Sequence, residues 1–144
     1  MFRIELKEWE HARTAAGPIR YAIFMGEPDA PPGIELDDQD KDCIHAIAYS
    51  TADEKAVGTG RLMPDGQIGR MAVLKDWRRL GVAAELLDAL VEEARKRGYK
   101  EVVLSAPLQA AEFYRSKGFV ADGKVFEEAG SLYEKMRKEL QASA

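Results

Sequence analysis

A basic turn in the middle of the chain has the residue types and spacing most suited to chemistry. Residues 78–83 read RRLGVA and lie between a strand-like run over 68–74 and an amphipathic pattern over 83–97. A helix that begins at such a turn offers backbone N–H groups with no helical partner, and its dipole adds about half a positive charge there. Gly81 lets the backbone approach a ligand closely, and Arg78 and Arg79 can neutralise phosphate oxygens. The turn is therefore predicted to bind a pyrophosphate.

Two other phosphate-binding patterns can be rejected. The sequence contains no GxxxxGK[ST] motif, and Gly58-Thr59-Gly60 lacks the third glycine of GxGxxG. The turn at 78–83 is thus the phosphate site that the sequence favours.

Strands and helices are predicted to alternate around this turn. Strand patterns cover residues 2–6, 43–50, 55–63, 67–74 and 102–104. Residues 8–26 are predicted to form one or two helices, with Gly17-Pro18 as the break, and further helical patterns cover 83–97 and a segment from Pro107 to Gly118. The apolar face predicted for the helix at 83–97 comprises Leu80, Ala83, Ala84, Leu87, Leu90, Val91 and Ala94. Residues 27–41 are predicted to form a loop, and residues 131–140 fit either a helix or a strand.

Composition limits the class of protein. A length of 144 residues with 46% apolar residues predicts a single domain, residues 1–144, with its own core. The lone Cys43 predicts a buried small side chain in a reducing, cytoplasmic setting, and two histidines are too few to predict a metal site. Alternating charges over residues 1–8 predict no signal peptide, and no apolar run approaches the roughly 18 residues of a membrane span. A net charge of −4 argues against a nucleic-acid partner.

Two motifs together resemble the GNAT superfamily of N-acetyltransferases. Arg78-x-x-Gly81-x-Ala83 is similar to the acetyl-CoA loop of that family. Residues 111–119, AEFYRSKGF, are similar to the helix–Tyr–x₃–Gly–Phe segment that follows its fifth strand. Further motifs that resemble the bacterial ElaA/YjcF-like subgroup lie at residues 34–37, 42–45, 60–62, 68–73 and 125–130. The resemblance covers about residues 18–137.

The resemblance implies a fold, a co-substrate and a site. The implied α/β GNAT fold has a central mixed, mostly antiparallel sheet of about six to seven strands flanked by helices, with splayed fourth and fifth strands, and it favours a strand over 131–140. The implied reaction transfers an acetyl group from acetyl-CoA to a primary amine of a small molecule or peptide. Tyr114 is the implied catalytic acid, since a phenol with a pKa of about 10 can protonate a leaving thiolate. The implied cofactor-binding residues are Met71, Ala72, Val73, Arg78, Arg79, Leu80, Gly81, Val82, Ala83, Ala84, Gln109 and Phe113.

Charge is distributed unevenly along the chain. Residues 27–54 hold nine acids and one base, whereas residues 70–100 hold eight bases and five acids. The acidic stretch is either a solvated loop with caps or an anionic entrance that attracts cationic amines. In the second case the entrance would be formed by Glu35, Asp37, Asp38, Asp40 and Asp42.

Other points stay open in the sequence. Candidate general bases, beside a water relay, are His45, Glu35, Asp37, Glu127 and Glu128, and a hydrogen-bonded place in the core is an equal interpretation of His45. Pro107 stands where many members of the family have Asn or Gln, and Ser131-Leu132-Tyr133 stands where the subgroup often has Ile-Pro-His. A CoA-binding sensor or interaction module with little transfer activity is therefore the alternative to an enzyme. A monomer and a homodimer are both compatible with the family.

Overall fold

The first eight strands and helices follow one another in the order that the sequence patterns predict, whereas the strand over 120–128 was not predicted. The computed structural model describes residues 1–25, 38–128 and 130–141. Within them the elements are β1 (Phe2–Glu8), α1 (Trp9–Arg20), β2 (Ile44–Ser50), β3 (Ala56–Leu62), β4 (Ile68–Val73), α2 (Val82–Lys96), β5 (Glu101–Pro107), α3 (Ala111–Ser116), β6 (Val120–Glu128) and β7 (Ser131–Glu139). The strand favoured over 131–140 is thus confirmed. None of the described helices is long and apolar enough to cross a membrane.

The strands form two antiparallel sheets that meet between β4 and β5. One sheet has the order β1-β2-β3-β4 and the other β5-β7-β6. Among the described residues they are joined by a single parallel bridge, Gln67 with Val103, where the Val103 N–H donates to the Gly66 carbonyl at 3.1 Å. The mostly antiparallel α/β architecture is confirmed. The predicted splaying of the fourth and fifth strands corresponds to the separation of the two sheets between β4 and β5. The gap beyond the bridge is where a ligand can enter between the sheets.

Helix α2 packs its apolar face against the first sheet. Its buried side chains are Val82, Leu86, Leu87, Leu90, Val91 and Ala94. Two glycines of β3 allow the close approach, because an added Cβ at Gly58 would lie 3.0 Å from Val82 Cγ1 and one at Gly60 would lie 3.1 Å from Leu90 Cδ1. The placement of Leu80 on the buried face was wrong. Since the helix begins after the left-handed Gly81, Leu80 precedes it and is 47% exposed.

Two predicted proline boundaries were also wrong. Helix α1 continues through Pro18 and passes into a π-helical turn, Tyr21–Met25. Pro18 removes one helical hydrogen bond, but the fully buried Ala12 and Ala16 hold the preceding turns, so packing outweighs the local preference. Pro107 does not begin a helix; it is the last residue of β5, and a 3₁₀ turn follows it before α3.

Candidate active site

Residues between the end of β4 and the start of α2 form most of the lining of a cavity. A cavity of about 360 Å³, here named the α2 cavity, is lined by Val73, Trp77, Arg78, Arg79, Gly81, Val82, Ala83, Ala84 and Phe113. Gly81 is the N-cap of α2 with φ 88°, and no side chain caps the helix. The first N–H groups of a helix have no partner within it, so those of α2 are suited to an anion at this point.

Two arginines flank this helix start. Arg79 has a left-handed backbone with φ 64°, which a non-glycine residue rarely adopts, and it lies two residues before the left-handed Gly81. Arg78 Nε donates to the Val73 carbonyl at 3.0 Å, which ties the turn back to the end of β4. Trp77 also lines the cavity, although its place in the sequence gave no signal of this beyond proximity to the turn.

The predicted cofactor-binding residues do not all lie in one place. Those that line the α2 cavity are Val73, Arg78, Arg79, Gly81, Val82, Ala83, Ala84 and Phe113. Met71 and Gln109 instead line a second cavity, described below. Ala72 is buried within β4, and the exposed Leu80 is not among the residues that line either cavity.

Strand β4 contains a bulge next to both cavities. Thr59 pairs with Ala72 and Arg61 pairs with Gly69, so two residues of β4 lie opposite Gly60. One of them, Arg70, has φ 52°, a conformation that a non-glycine residue rarely adopts. A Cβ at Gly60 would collide with Met71 Sδ, so this glycine makes room for the bulged strand. A bulge takes peptide groups out of the ladder and makes them available to a ligand.

A second cavity of about 480 Å³ opens between the two sheets and is here named the β4–β5 cavity. Its walls come from the π-helical turn and from β3, β4, β5, α3, β6 and β7. Its polar lining residues are Arg61, Gln67, Arg70, Ser105, Gln109, Tyr114, Glu128 and Tyr133. Segments far apart in the sequence therefore supply its chemistry.

Tyr114 lies at the junction of the two cavities. Its neighbour Phe113 lines the α2 cavity, whereas Tyr114 lines the β4–β5 cavity. The ring of Tyr114 makes edge contacts with Phe113 at 5.1 Å and with Phe119 at 5.9 Å between centroids. Burial raises the pKa of Tyr114 to about 12. The phenol is therefore protonated at neutral pH and keeps its O–H group.

A buried ionic cluster lies behind the β4–β5 cavity. Asp40 accepts hydrogen bonds from Arg20 Nη1 at 2.9 Å and from Arg61 Nη1 at 2.8 Å. Its carboxylate is fully buried, so Asp40 does not belong to an anionic entrance, contrary to the prediction for the acidic loop. Arg61 reaches from this cluster to the cavity wall. Two guanidiniums on one carboxylate offset much of the cost of burying these charges.

His45 belongs to the same cluster and is held in one tautomer. Its Nε2 lies 2.9 Å from the Asp40 carbonyl, which can only accept, so Nε2 carries the proton. Its Nδ1 lies 3.4 Å from Arg20 Nη2, which can only donate, so Nδ1 accepts. Burial lowers the pKa of His45, and the charge of Arg20 lowers it further. Of the two interpretations of His45, the structure supports the hydrogen-bonded core histidine rather than the general base.

The remaining candidate general bases differ in whether they line the β4–β5 cavity. Both Glu127 and Glu128 are exposed, and of the two only Glu128 lines the β4–β5 cavity. Glu35 and Asp37 lie outside the described residues, and Asp38 and Asp42 are exposed. Glu128 is therefore the candidate carboxylate that faces the cavity within residues 38–128. Beside it, burial and then the Glu128 charge raise the pKa of the Tyr133 hydroxyl.

The two departures from the family pattern face one another. Pro107 pairs with Tyr133 across β5 and β7, and both line the β4–β5 cavity. Neither residue lines the α2 cavity.

Cys43 is buried, and its thiol donates to the Gln39 carbonyl at 3.1 Å, which confirms the predicted small buried residue. Over the parts of the chain that the structure describes, no group of three His, Cys, Asp or Glu side chains could hold a metal ion.

The geometry defines a class of site, in which an anion-binding helix start adjoins a buried phenol and a second, charged cavity. The model of a family described as an acetyltransferase (GNAT) domain matches residues 36–140. The uncharacterized N-acetyltransferase YjcF of Bacillus subtilis is 34% identical over 125 residues, which cover 84% of this chain and 88% of YjcF. The chain therefore belongs to the GNAT family of N-acetyltransferases, and the similarity to YjcF confirms the predicted subgroup.

Solved structures share the fold. A crystal structure of an N-acetyltransferase candidate from Lactobacillus plantarum superposes with a TM-score of 0.86 at 28% identity, over 97% of this chain and 99% of that one. ElaA of Escherichia coli superposes with a TM-score of 0.83 at 24% identity, over 96% of this chain and 100% of ElaA. Membership of the family implies acetyl transfer, for which the family uses acetyl-CoA as co-substrate.

Proposed function

We propose that residues 1–144 act as one domain that transfers the acetyl group of acetyl-CoA to a primary amine of a small molecule or peptide. The observation that carries this proposal is the position of Phe113 and Tyr114, adjacent residues that line two different cavities. A donor in one cavity and an acceptor in the other would then meet beside the Tyr114 hydroxyl.

Acetyl-CoA fits the α2 cavity on three grounds. The pyrophosphate would bind the N–H groups of residues 82–84, where Gly81 presents no side chain to obstruct it. Arg78 and Arg79 add positive charge at the same edge. The pantetheine arm would run along the end of β4, over Met71, Ala72 and Val73, towards Phe113. Gln109 supplies a polar group near Pro107, where many relatives in the family have an amide.

The transfer step can be assigned to side chains of the β4–β5 cavity. The amine nitrogen forms a bond to the acetyl carbonyl carbon, and the carbon–sulfur bond breaks. Backbone groups of the β4 bulge polarise the carbonyl. The leaving thiolate takes the Tyr114 hydroxyl proton, which solvent later restores. Glu128, directly or through water, takes the proton that the amine nitrogen gives up.

The function is tested with purified protein, acetyl-CoA and a panel of primary amines, peptides and aminoglycosides. Thiol release and the mass of the acetylated product should both report transfer to at least one class of amine. Calorimetric binding of acetyl-CoA with no transfer to any member of the panel would favour a CoA-binding module over an enzyme.

The role of Glu128 has a matched control in its neighbour Glu127. We expect Glu128→Gln to lower kcat/KM by about 10²-fold or more, because the amide cannot accept the proton. Glu127→Gln makes the same chemical change at a residue of β6 that does not line the cavity, and it should leave kcat/KM within about twofold. Equal kinetics for the two variants would remove Glu128 from the mechanism and favour the water relay.

A further inference from the structure

Tyr114 is carried by a helix that is too short to hold its own position. Helix α3 has six residues, whereas an isolated helix in water needs about 12–15 residues even when its sequence is favourable. The buried Ala111 and Tyr114 supply its apolar contacts. Because apolar attraction is non-directional, such contacts fix the depth of a helix better than its rotation about its own axis. The direction of the Tyr114 hydroxyl therefore depends on a further contact.

Arg115, the residue after Tyr114, joins α3 to β7. Its Nη2 donates to both carboxylate oxygens of Glu134, at 3.1 and 3.0 Å. Its Nη1 donates to Glu112 Oε1, one turn earlier on α3, at 3.1 Å. The contact between Arg115 and Glu134 is here named the α3–β7 clamp. It fixes the side of α3 that faces β7, which apolar contacts do not.

The two carboxylates that hold Arg115 lie in different surroundings. The Glu134 side chain is 11% exposed, whereas the Glu112 side chain is 92% exposed. Water competes for both charges of an exposed ion pair, so such a pair contributes little. A carboxylate shielded from water depends on its partner far more. Glu134 rather than Glu112 is therefore expected to set the orientation of Arg115.

The clamp lies beside the β4–β5 cavity on both of its elements. Tyr114 precedes Arg115 and lines this cavity, and Tyr133 precedes Glu134 and lines it as well. Successive residues of a strand point to opposite faces of the sheet, so Glu134 lies behind the face that carries Tyr133. The clamp thus constrains the separation of the two tyrosines from outside the cavity.

We infer that Glu134 is a positioning residue for acetyl transfer, which acts through Arg115 to orient Tyr114 towards the leaving thiolate. The inference rests on the proposed function, in which the Tyr114 hydroxyl gives its proton to that thiolate. Glu134 itself exchanges no proton and forms no bond in the reaction. A general acid must lie within hydrogen-bond reach of its acceptor, and a misplacement of about 1 Å can cost about 10²-fold in rate.

The first test removes the two partners of the same guanidinium in turn. Glu134→Gln and Glu112→Gln each replace one carboxylate oxygen by an amide nitrogen, which cannot accept from Arg115. We expect Glu134→Gln to lower kcat about 10-fold and to leave the Kd for acetyl-CoA within about threefold, because the apolar contacts of α3 remain. Glu112→Gln should leave kcat within about twofold. Equal kcat for the two variants would overturn the inference.

A positioning role is separated from a loss of stability by repeating the change in Tyr114→Phe. With no hydroxyl left to orient, Glu134→Gln should change the residual kcat of Tyr114→Phe by less than about twofold. A merely weakened fold would lose the same factor with and without the hydroxyl, and that result would overturn the inference.

Arg115 gives the same comparison from the more exposed end of the clamp, in case Glu134→Gln does not fold. Arg115→Lys keeps a cation that can reach Glu134 and should retain kcat within about threefold, whereas Arg115→Gln should lower it about 10-fold. Circular dichroism and urea unfolding check that the variants compared are folded. Equal kcat for Arg115→Lys and Arg115→Gln would contradict the proposed role of the clamp.

NMR of ¹³C-labelled tyrosine rings adds a measurement that needs no turnover. The Tyr114 signal is the one that disappears in Tyr114→Phe. We expect this signal to shift in Glu134→Gln and to stay in place in Glu112→Gln. A shifted signal without acetyl transfer to any amine would support the control of Tyr114 by the clamp and contradict the proposed function. Transfer by Glu134→Gln at the parent rate, with the signal unmoved, would support the proposed function and overturn the role of Glu134.

Discussion

The two cavities of this enzyme are built in different ways. The α2 cavity comes from residues 73–84 and Phe113, and its main binding groups are backbone N–H groups at a helix start. The β4–β5 cavity draws on segments between Ile23 and Tyr133, and its main binding groups are side chains. A backbone site needs only the correct local conformation, whereas a side-chain site needs several elements to pack together.

This difference suggests a division of labour. A site made of backbone groups keeps its chemistry when neighbouring side chains change, which suits a co-substrate shared by a whole family. A site made of side chains is sensitive to single substitutions, and the two departures from the family pattern, Pro107 and Tyr133, both line the β4–β5 cavity. Substrate specificity is therefore expected to reside in the β4–β5 cavity and in the buried cluster behind it.

The largest effect is expected where the backbone site is blocked. Gly81→Glu would place a negative charge and a side chain at the start of α2, where the pyrophosphate is proposed to bind. We expect calorimetric titration to detect no binding of acetyl-CoA, while circular dichroism shows that the fold survives.

Two controls isolate the cause of that loss. Gly98→Glu places the same residue at φ 82°, at the other end of α2, so it shares the backbone strain and should bind acetyl-CoA normally. Gly81→Gln shares the strain and the bulk without the charge, and it should bind more tightly than Gly81→Glu. Unchanged affinity in Gly81→Glu would mean that the pyrophosphate binds elsewhere.

The sequence predicts the α2 cavity better than the β4–β5 cavity, and the reason is physical. The former depends on a short pattern, Arg78 to Ala83, whose conformation is set by its own glycine and by the helix that follows. The latter depends on pairs such as Arg61 with Asp40, which lie in separate elements that only tertiary packing brings together. The same limit explains Pro18, where distant packing outweighs a local helix breaker.

His45 shows a related limit. Its residue type suits a general base, but its hydrogen bonds to Asp40 and Arg20 depend on a contact between β2, α1 and the 3₁₀ turn Asp40–Asp42. No local pattern indicates that both ring nitrogens are engaged. By contrast, β1 to β5 were predictable in place because alternation and turn residues are local properties, whereas no local pattern predicted β6 and only the family resemblance favoured β7.

A smaller effect is expected at Tyr114, which lies at the junction of the two cavities. Tyr114→Phe should lower kcat by about 10²–10⁴-fold, because the hydroxyl is needed only as the thiolate develops. Its affinity for acetyl-CoA should change little. With a pKa of about 12, Tyr114 should remain protonated, so kcat should not fall through its ionisation below about pH 11.

Phe113→Leu provides the reciprocal variant. Since Phe113 lines the α2 cavity, its change should raise the Kd for acetyl-CoA more than it lowers kcat. If Tyr114→Phe and Phe113→Leu both changed mainly kcat, or both changed mainly the Kd for acetyl-CoA, the two cavities would not act as separate donor and acceptor sites. Stopped-flow binding and steady-state turnover on both proteins decide this.

The smallest effect concerns the buried cluster behind the β4–β5 cavity. The folded protein holds His45 neutral, because burial lowers its pKa below the usual value of about 6.5. As the pH falls below about 6.5, the unfolded chain takes up a proton at His45 and the folded protein does not. The free energy of unfolding should therefore fall with decreasing pH, by up to about 1.4 kcal/mol per pH unit from this residue, until the pH reaches the lowered pKa.

His45→Gln removes this titration but keeps the hydrogen bonds, since the amide N–H can donate to the Asp40 carbonyl and the amide oxygen can accept from Arg20. Urea unfolding at pH 7 and pH 5.5 should show a smaller loss of stability in His45→Gln than in the parent protein. The other histidine, the exposed His11, is the control, and His11→Gln should follow the parent. The other titrating groups are common to all three proteins, so the difference between the variants isolates His45. An equal loss in all three would mean that His45 is protonated in the folded cluster, and the tautomer that fixes Asp40 and Arg20 behind the acceptor side would be wrong.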